Sequence, residues 1–146
     1  MEQLTDRQAW MGILARSSLA DIEKRVERLG DLPQYTFLRQ PEIGLTMVRG
    51  RAGGTGEIFN IGEMTVTRCV VKFGKVTGFS YVGGRSKRHA ELAAVCDGLL
   101  QQEEWFAEIR DRIVQPLQII IQEKQAKQQK KTEATKVEFF TMLRGE

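Results

Sequence analysis

The sequence predicts an α+β fold: N-terminal helices, an antiparallel β-meander of hairpins in the middle, then C-terminal helices and an extended apolar tail. Three observations predict it. Apolar residues recur at helical spacing before residue 30 and again after residue 86. Between them they alternate and are punctuated by glycine, as in strands joined by turns. The last apolar cluster follows a stretch with no apolar face.

The elements follow in order. Residues 5–16 read as a helix, with Trp10 and Leu14 four apart and Met11, Ile13 and Ala15 widening the stripe. Ser18-Leu19-Ala20-Asp21 approximates a capping box and opens a second helix, carried by Leu19, Ile22, Val26 and Leu29 and stopped at Gly30. Both are expected to be scaffold. Residues 35–39, bounded by Pro33 and Pro41, read as a short edge strand, and residues 43–49 as a second strand. Gly50-Arg51-Ala52-Gly53-Gly54-Thr55-Gly56 is a loop, because four glycines in seven residues favour no regular element. Residues 57–73 hold a strand, in which Val66, Arg68, Val70 and Lys72 alternate with Thr65, Thr67, Cys69, Val71 and Phe73. Gly74-Lys75 makes a tight hairpin connection. Residues 76–82 return, with Thr77, Phe79 and Tyr81 on one face.

Gly83-Gly84-Arg85-Ser86 breaks the strand, and Ser86 is placed to cap a helix running to about Gln101. A further helix begins near Glu103, with Trp105, Phe106, Ile109, Ile113 and Leu117 as its stripe, and Pro116 must kink or end it. Residues 118–131 remain helix-prone, but the run EKQAKQQKK is either a solvated helix or partly disordered. The cluster VEFFTML closes the chain. It either folds back on the core or docks on another protein, with Phe139, Phe140, Met142 and Leu143 as the contact. The 146 residues suit one α+β domain over 1–131 and a partner-docking tail over 132–146.

Composition excludes several classes. Net charge is +3, too mild to mark a nucleic-acid binder, and no apolar run approaches the ~20 residues of a membrane span. MEQLTDRQAW lacks a signal-peptide pattern, so a cytoplasmic protein is expected. Cys69 and Cys96 each sit alone in apolar surroundings and read as small buried hydrophobes, not as a metal or iron–sulfur site.

The mean charge hides a gradient. Residues 39–89 hold nine of the basic residues against three acidic ones, +6 in all, together with ten of the 14 glycines. Basic side chains among exposed glycine backbone suit a phosphate-rich ligand. The plainer reading is a solvated outer face of a sheet.

The glycine loop is not a Walker A loop, because it runs into Glu57-Ile58-Phe59 and not into Gly-Lys-Ser/Thr and a helix. Its amides, at Gly53 and Gly54 beside Arg51, suit a phosphate. His89-Ala90-Glu91 matches the H-x-E of zinc deaminases, but the P-C-x-x-C partner is missing. Arg85, Lys87 and Arg88 crowd a helix N-terminus, where cations are unfavourable for the helix itself by about 0.3–1 kcal/mol each and an anion is favoured. Their plain alternative is exposure to water. Glu63 and Arg68 are candidates for a general base and a cation, or for a strand-surface ion pair worth little.

The stretches PEIGLTMVRGRAGGTGEIFNIGEMTVTRCVV, FSYVGGRSKRHAELAAVCDGLL and TKVEFFTMLRG resemble, in order and over nearly the whole chain, the G subunit of the bacterial carbon–phosphorus lyase core complex. The resemblance implies a subunit of α-D-ribose 1-methylphosphonate 5-triphosphate synthase, a multi-subunit transferase of phosphonate catabolism. It implies H, I and J partner subunits, the I subunit most directly. It implies ATP and methylphosphonate as substrates, Mg²⁺ with the triphosphate, and no nucleic acid or membrane. Displacing adenine at C1′ builds oxocarbenium character, so cations must hold the triphosphate and a donor must meet the leaving base. On that reading Arg51, Arg68, Arg85, Lys87 and Arg88, with Gly53 and Gly54, are the phosphate contacts, and His89 and Glu63 the proton handlers. A structural adaptor that only holds the partners together, and a free-standing phosphate or nucleic-acid binding module, are the other readings.

Overall fold

The computed structural model describes residues 6–51 and 58–144, with backbone alone for residues 51, 58–61 and 133–144. Helix α1 (Arg7–Arg16) starts where the Asp6 carboxylate accepts from the Gln8 N–H at 3.0 Å. Helix α2 (Leu19–Glu27) starts at the Ser18 hydroxyl, which accepts from the Asp21 N–H at 3.2 Å. Beyond it Gly30 takes φ +78°, the left-handed conformation that glycine adopts without strain.

The sheet is antiparallel in the order β1-β2-β3: β1 (Thr36–Arg51), β2 (Ile58–Phe73) and β3 (Val76–Gly83). The two strands expected at residues 35–39 and 43–49 are one strand. Its register slips between Phe37 and Arg39 and between Arg39 and Glu42, and Pro41 has no partner on β2. Because β1 is an edge strand, the absent N–H of Pro41 costs a bulge and not the strand. Gly74, at φ +55°, and Lys75 form the two-residue turn between β2 and β3. Strand β3 reaches only Val66 of β2. The rest of β1 and β2 therefore continues as a two-stranded arm, residues 45–51 against 58–65.

One face of the sheet packs on helix α3 (Lys87–Leu100) through Thr67, Cys69, Val71 and Phe73 of β2 and Gly78, Ser80 and Val82 of β3, with Cys96 inside. Helix and sheet nearly touch at two glycines: a Cβ on Gly78 would lie 2.2 Å from the Ala94 carbonyl oxygen, and one on Gly98 2.7 Å from the Phe73 ring. Trp10, Ile13 and Leu14 of α1, Ile22 and Val26 of α2, and Ile109, Ile113, Val114 and Leu117 complete the core. Each stripe named in the sequence supplies its share.

Helix α4 (Glu103–Ile109), a π-helical turn (Arg110–Val114) and helix α5 (Gln115–Arg144) run on without a break. Pro116 has no N–H and its ring crowds the carbonyl four residues back. The wider π turn just before it, in which the Gln115 N–H reaches back to the Arg110 carbonyl, absorbs both faults without ending the helix. Past Ile121, residues 122–132 are exposed, so the polar run is a solvated helix. The segment expected to extend as an apolar tail is helical backbone through Arg144. Residues 117–144 contain neither glycine nor proline and are rich in Gln, Lys, Glu and Ala, so nothing local stops the helix. The side chains of Phe139, Phe140, Met142 and Leu143 lie outside the described set. No helix among the described residues is long and apolar enough to cross a membrane.

Candidate anion-binding face

Helices cover one face of the sheet; the other is open. Residues paired across antiparallel strands point to the same side, so the pairing writes out this open face in rows. Arg39, Val70 and Phe79 form one row, and Glu42, Arg68 and Tyr81 the next. Lys72, between Thr36 and Thr77, flanks them. Arg39 and Arg68 line one shallow cavity of about 360 Å³ with Met11, Val70, Phe79, Ser80 and Tyr81.

The two arginines share a single carboxylate. Oε2 of Glu42 lies 3.8 Å from a guanidinium nitrogen of each, beyond hydrogen-bond reach, and all three side chains are about half exposed. Most of ten guanidinium N–H donors therefore face solvent, beside a cavity rimmed by aromatic rings.

The edge of this face is built on a buried carboxylate. Asp97, in the apolar run AVCDGLL of α3, is fully buried. It accepts from Arg7 Nε and Nη2 at 3.1 and 2.8 Å, from Trp10 Nε1 at 2.8 Å and from the Phe79 backbone N–H at 2.8 Å. Burying a charge is costly unless paired and hydrogen-bonded, and both conditions are met. The pairing holds Arg7 charged, its pKa pushed above the ordinary value by the Asp97 hydrogen bond. It also sets the Arg7 guanidinium 5.4 Å over the Phe79 ring.

Strand periodicity separates Glu63 from Arg68. They are five residues apart on a regular stretch of β2, so they face opposite sides; Glu63 pairs with Met47 on the underside of the arm. Arg85, Lys87 and Arg88 lie at the start of α3, in the helix layer. Arg85 and Lys87 are exposed. Arg88 stands 3.6 Å from Glu23 and 3.4 Å from Glu91, whose other oxygen accepts from the Tyr35 hydroxyl at 2.7 Å. Burial, reinforced by that hydrogen bond, pushes the Tyr35 phenol up to about 12. The Ser86 hydroxyl accepts from the His89 N–H at 3.2 Å and caps the helix.

His89 is buried, and its Nε2 lies 2.9 Å from the Leu14 carbonyl oxygen. A carbonyl only accepts, so Nε2 donates, and the ring ties the end of α1 to the start of α3. The backbone of Arg51 pairs with Ile58 near the tip of the arm, while Gly53 and Gly54 lie outside the described residues. The cations read as one region thus divide between the open sheet face and the α3 N-terminus. Burial drives the Cys69 and Cys96 thiols up to about 11 and about 12, so neither is a nucleophile near neutrality.

Arg7, Arg39, Phe79 and Asp97 were not among the residues singled out for chemistry. Two signals pointed to Phe79 and Asp97. The Gly74-Lys75 turn sets Val70 opposite Phe79 and Arg68 opposite Tyr81, and an acid within an apolar helix must find donors.

The chain matches the family described as "Phosphonate metabolism protein PhnG" over residues 5–145. It is 36% identical over 145 residues to the alpha-D-ribose 1-methylphosphonate 5-triphosphate synthase subunit PhnG of Rhizobium meliloti (strain 1021), covering 98% of this chain and 92% of the relative. The chain belongs to the PhnG family of phosphonate-metabolism proteins.

Proposed function

We propose that this chain is a subunit of a cytoplasmic synthase that makes α-D-ribose 1-methylphosphonate 5-triphosphate, and that its open sheet face holds the triphosphate. In the reaction a methylphosphonate oxygen bonds to C1′ of ATP as the C1′–N9 bond breaks. Adenine leaves with the electron pair and takes up a proton. The H, I and J subunits are the proposed partners, and Mg²⁺ enters as the counter-ion of ATP. Positive charge builds at C1′ during departure of the base, and the triphosphate must be kept still meanwhile.

The observation that carries this reading is the pair Arg39 and Arg68, half exposed in one cavity and held, among the described residues, only by a 3.8 Å contact to Glu42. Guanidinium forks suit phosphate oxygens, and this pair has donors to spare. Arg85 and Lys87, exposed at the α3 N-terminus, are a second cationic set, and Arg51 near the arm tip a third. His89, buried and bonded to Leu14, serves packing in this proposal, and Glu63, on the other side of β2, stands apart from the triphosphate.

The test is adenine release from ATP and methylphosphonate by the assembled synthase carrying Arg39→Ala and Arg68→Ala together. Loss of charge-assisted hydrogen bonds worth about 1.5–3 kcal/mol each predicts kcat/KM for ATP down at least tenfold. Assembly, followed by size-exclusion chromatography, is expected to stay intact. A normal rate rejects the proposal.

A further inference from the structure

The open face offers more than charge. Tyr81 lies directly opposite Arg68 on the neighbouring strand, which places their Cβ atoms about 4.5–5.5 Å apart. Tyr81 is 50% exposed, and among the described residues neither its ring nor its hydroxyl has a hydrogen-bond, ion-pair or ring partner. Phe79, two residues away on the same face, is different. Its N–H is held by Asp97 and its ring lies under Arg7. One aromatic ring is thus engaged as a wall, and the other is left with a free face beside two under-used guanidinium groups. A site for a bare anion has no use for an exposed ring, which leaves apolar area in water. A cavity of about 360 Å³ falls in the range of small-ligand sites, roughly 300–1,000 Å³.

We propose that Tyr81 is the stacking platform for the purine ring of the nucleotide whose triphosphate Arg39 and Arg68 hold, with Val70 and Phe79 as the apolar wall beside it. The proposal rests on the phosphate-holding role argued above. It adds that this chain grips the leaving base as well as the phosphates. Stacking uses the π face that every base has, so it supplies affinity and orientation more than choice of base.

The test is equilibrium binding of two probes, ATP and inorganic triphosphate, to the assembled synthase without methylphosphonate. Wild type is expected to bind ATP more tightly than triphosphate. Tyr81→Ala weakens ATP about tenfold or more and leaves triphosphate within twofold, while Tyr81→Phe keeps the ring and restores ATP binding. The double variant Arg39→Ala/Arg68→Ala weakens both probes. Unchanged ATP affinity in Tyr81→Ala overturns the stacking role, and if assembly is lost instead, the face is a protein contact. Unchanged triphosphate affinity in the arginine variant overturns the phosphate reading on which it rests, so the two failures are read separately.

Discussion

Arg7 on α1 and Asp97 on α3 form a two-pronged ion pair at 3.1 and 2.8 Å across 90 residues of sequence. The same carboxylate takes the Trp10 indole N–H and the Phe79 backbone N–H, so one buried charge joins α1, β3 and α3. Replacing Asp97 by Ala strands the Trp10 and Phe79 N–H groups and the Arg7 cation. We expect a loss of about 3–5 kcal/mol, read as a fall in the urea midpoint with little change in slope. A loss below about 1 kcal/mol would show the junction to be incidental.

Gly78 and Gly98 set how closely α3 lies on the sheet. Gly78→Ala forces a Cβ into the Ala94 carbonyl, and the backbone must move. Overpacking of this kind costs about 3 kcal/mol. Gly44→Ala, on the same sheet with open space around it, is the control and is expected to stay within about 1 kcal/mol. Equal thermal midpoints for the two variants would refute the close-packing account.

Stability is expected to fall in alkali. Tyr35 rises from 10.0 to about 12, Cys69 from 9.0 to about 11 and Cys96 from 9.0 to about 12, each chiefly through burial. The unfolded chain therefore loses these protons first, and stability decreases as pH rises between about 9 and 12. The contribution is fully present below pH 9. Denaturant midpoints at pH 8 and pH 11 measure the slope. At pH 8 a thiol reagent is expected to label neither cysteine in the native protein and both in urea.

His89→Ala removes a second link between α1 and α3, beside the one at Asp97. The Leu14 carbonyl still accepts from the Ser17 hydroxyl at 2.8 Å, so we expect a loss of about 1–3 kcal/mol from the missing hydrogen bond and the void. Adenine release per folded assembly is expected to remain near normal. A large fall in kcat with unchanged stability would return His89 to the reaction itself.

Much of the fold was legible because its signals are local. The Ser86 cap, the Ser18 box, the Gly74-Lys75 turn and the left-handed Gly30 each act within a few residues. Pro41 and Pro116 were read for what proline does alone. A sheet edge accommodated the first and a π turn the second, and both answers come from neighbours the pattern does not contain. The helical course of α5 through Arg144 was missed because apolar residues in a cluster suggested a separate tail. Backbone propensity, which has no break there, decided otherwise.

By itself, then, the sequence determined the family, the order of elements, their caps and the hairpin register, and through that register the facing of Arg68 and Tyr81. Which cations act together was decided by tertiary structure. Alternation along β2 turned Glu63 away from Arg68, while β1 brought Arg39 beside it. Packing of α1 against β3 and α3 placed Arg7 on Phe79 and closed N–H groups of Arg7, Trp10 and Phe79 on Asp97. The physical reason is range. Caps and turns are paid for by bonds among neighbours, whereas a buried charge is tolerable only when elements distant in sequence deliver its donors together.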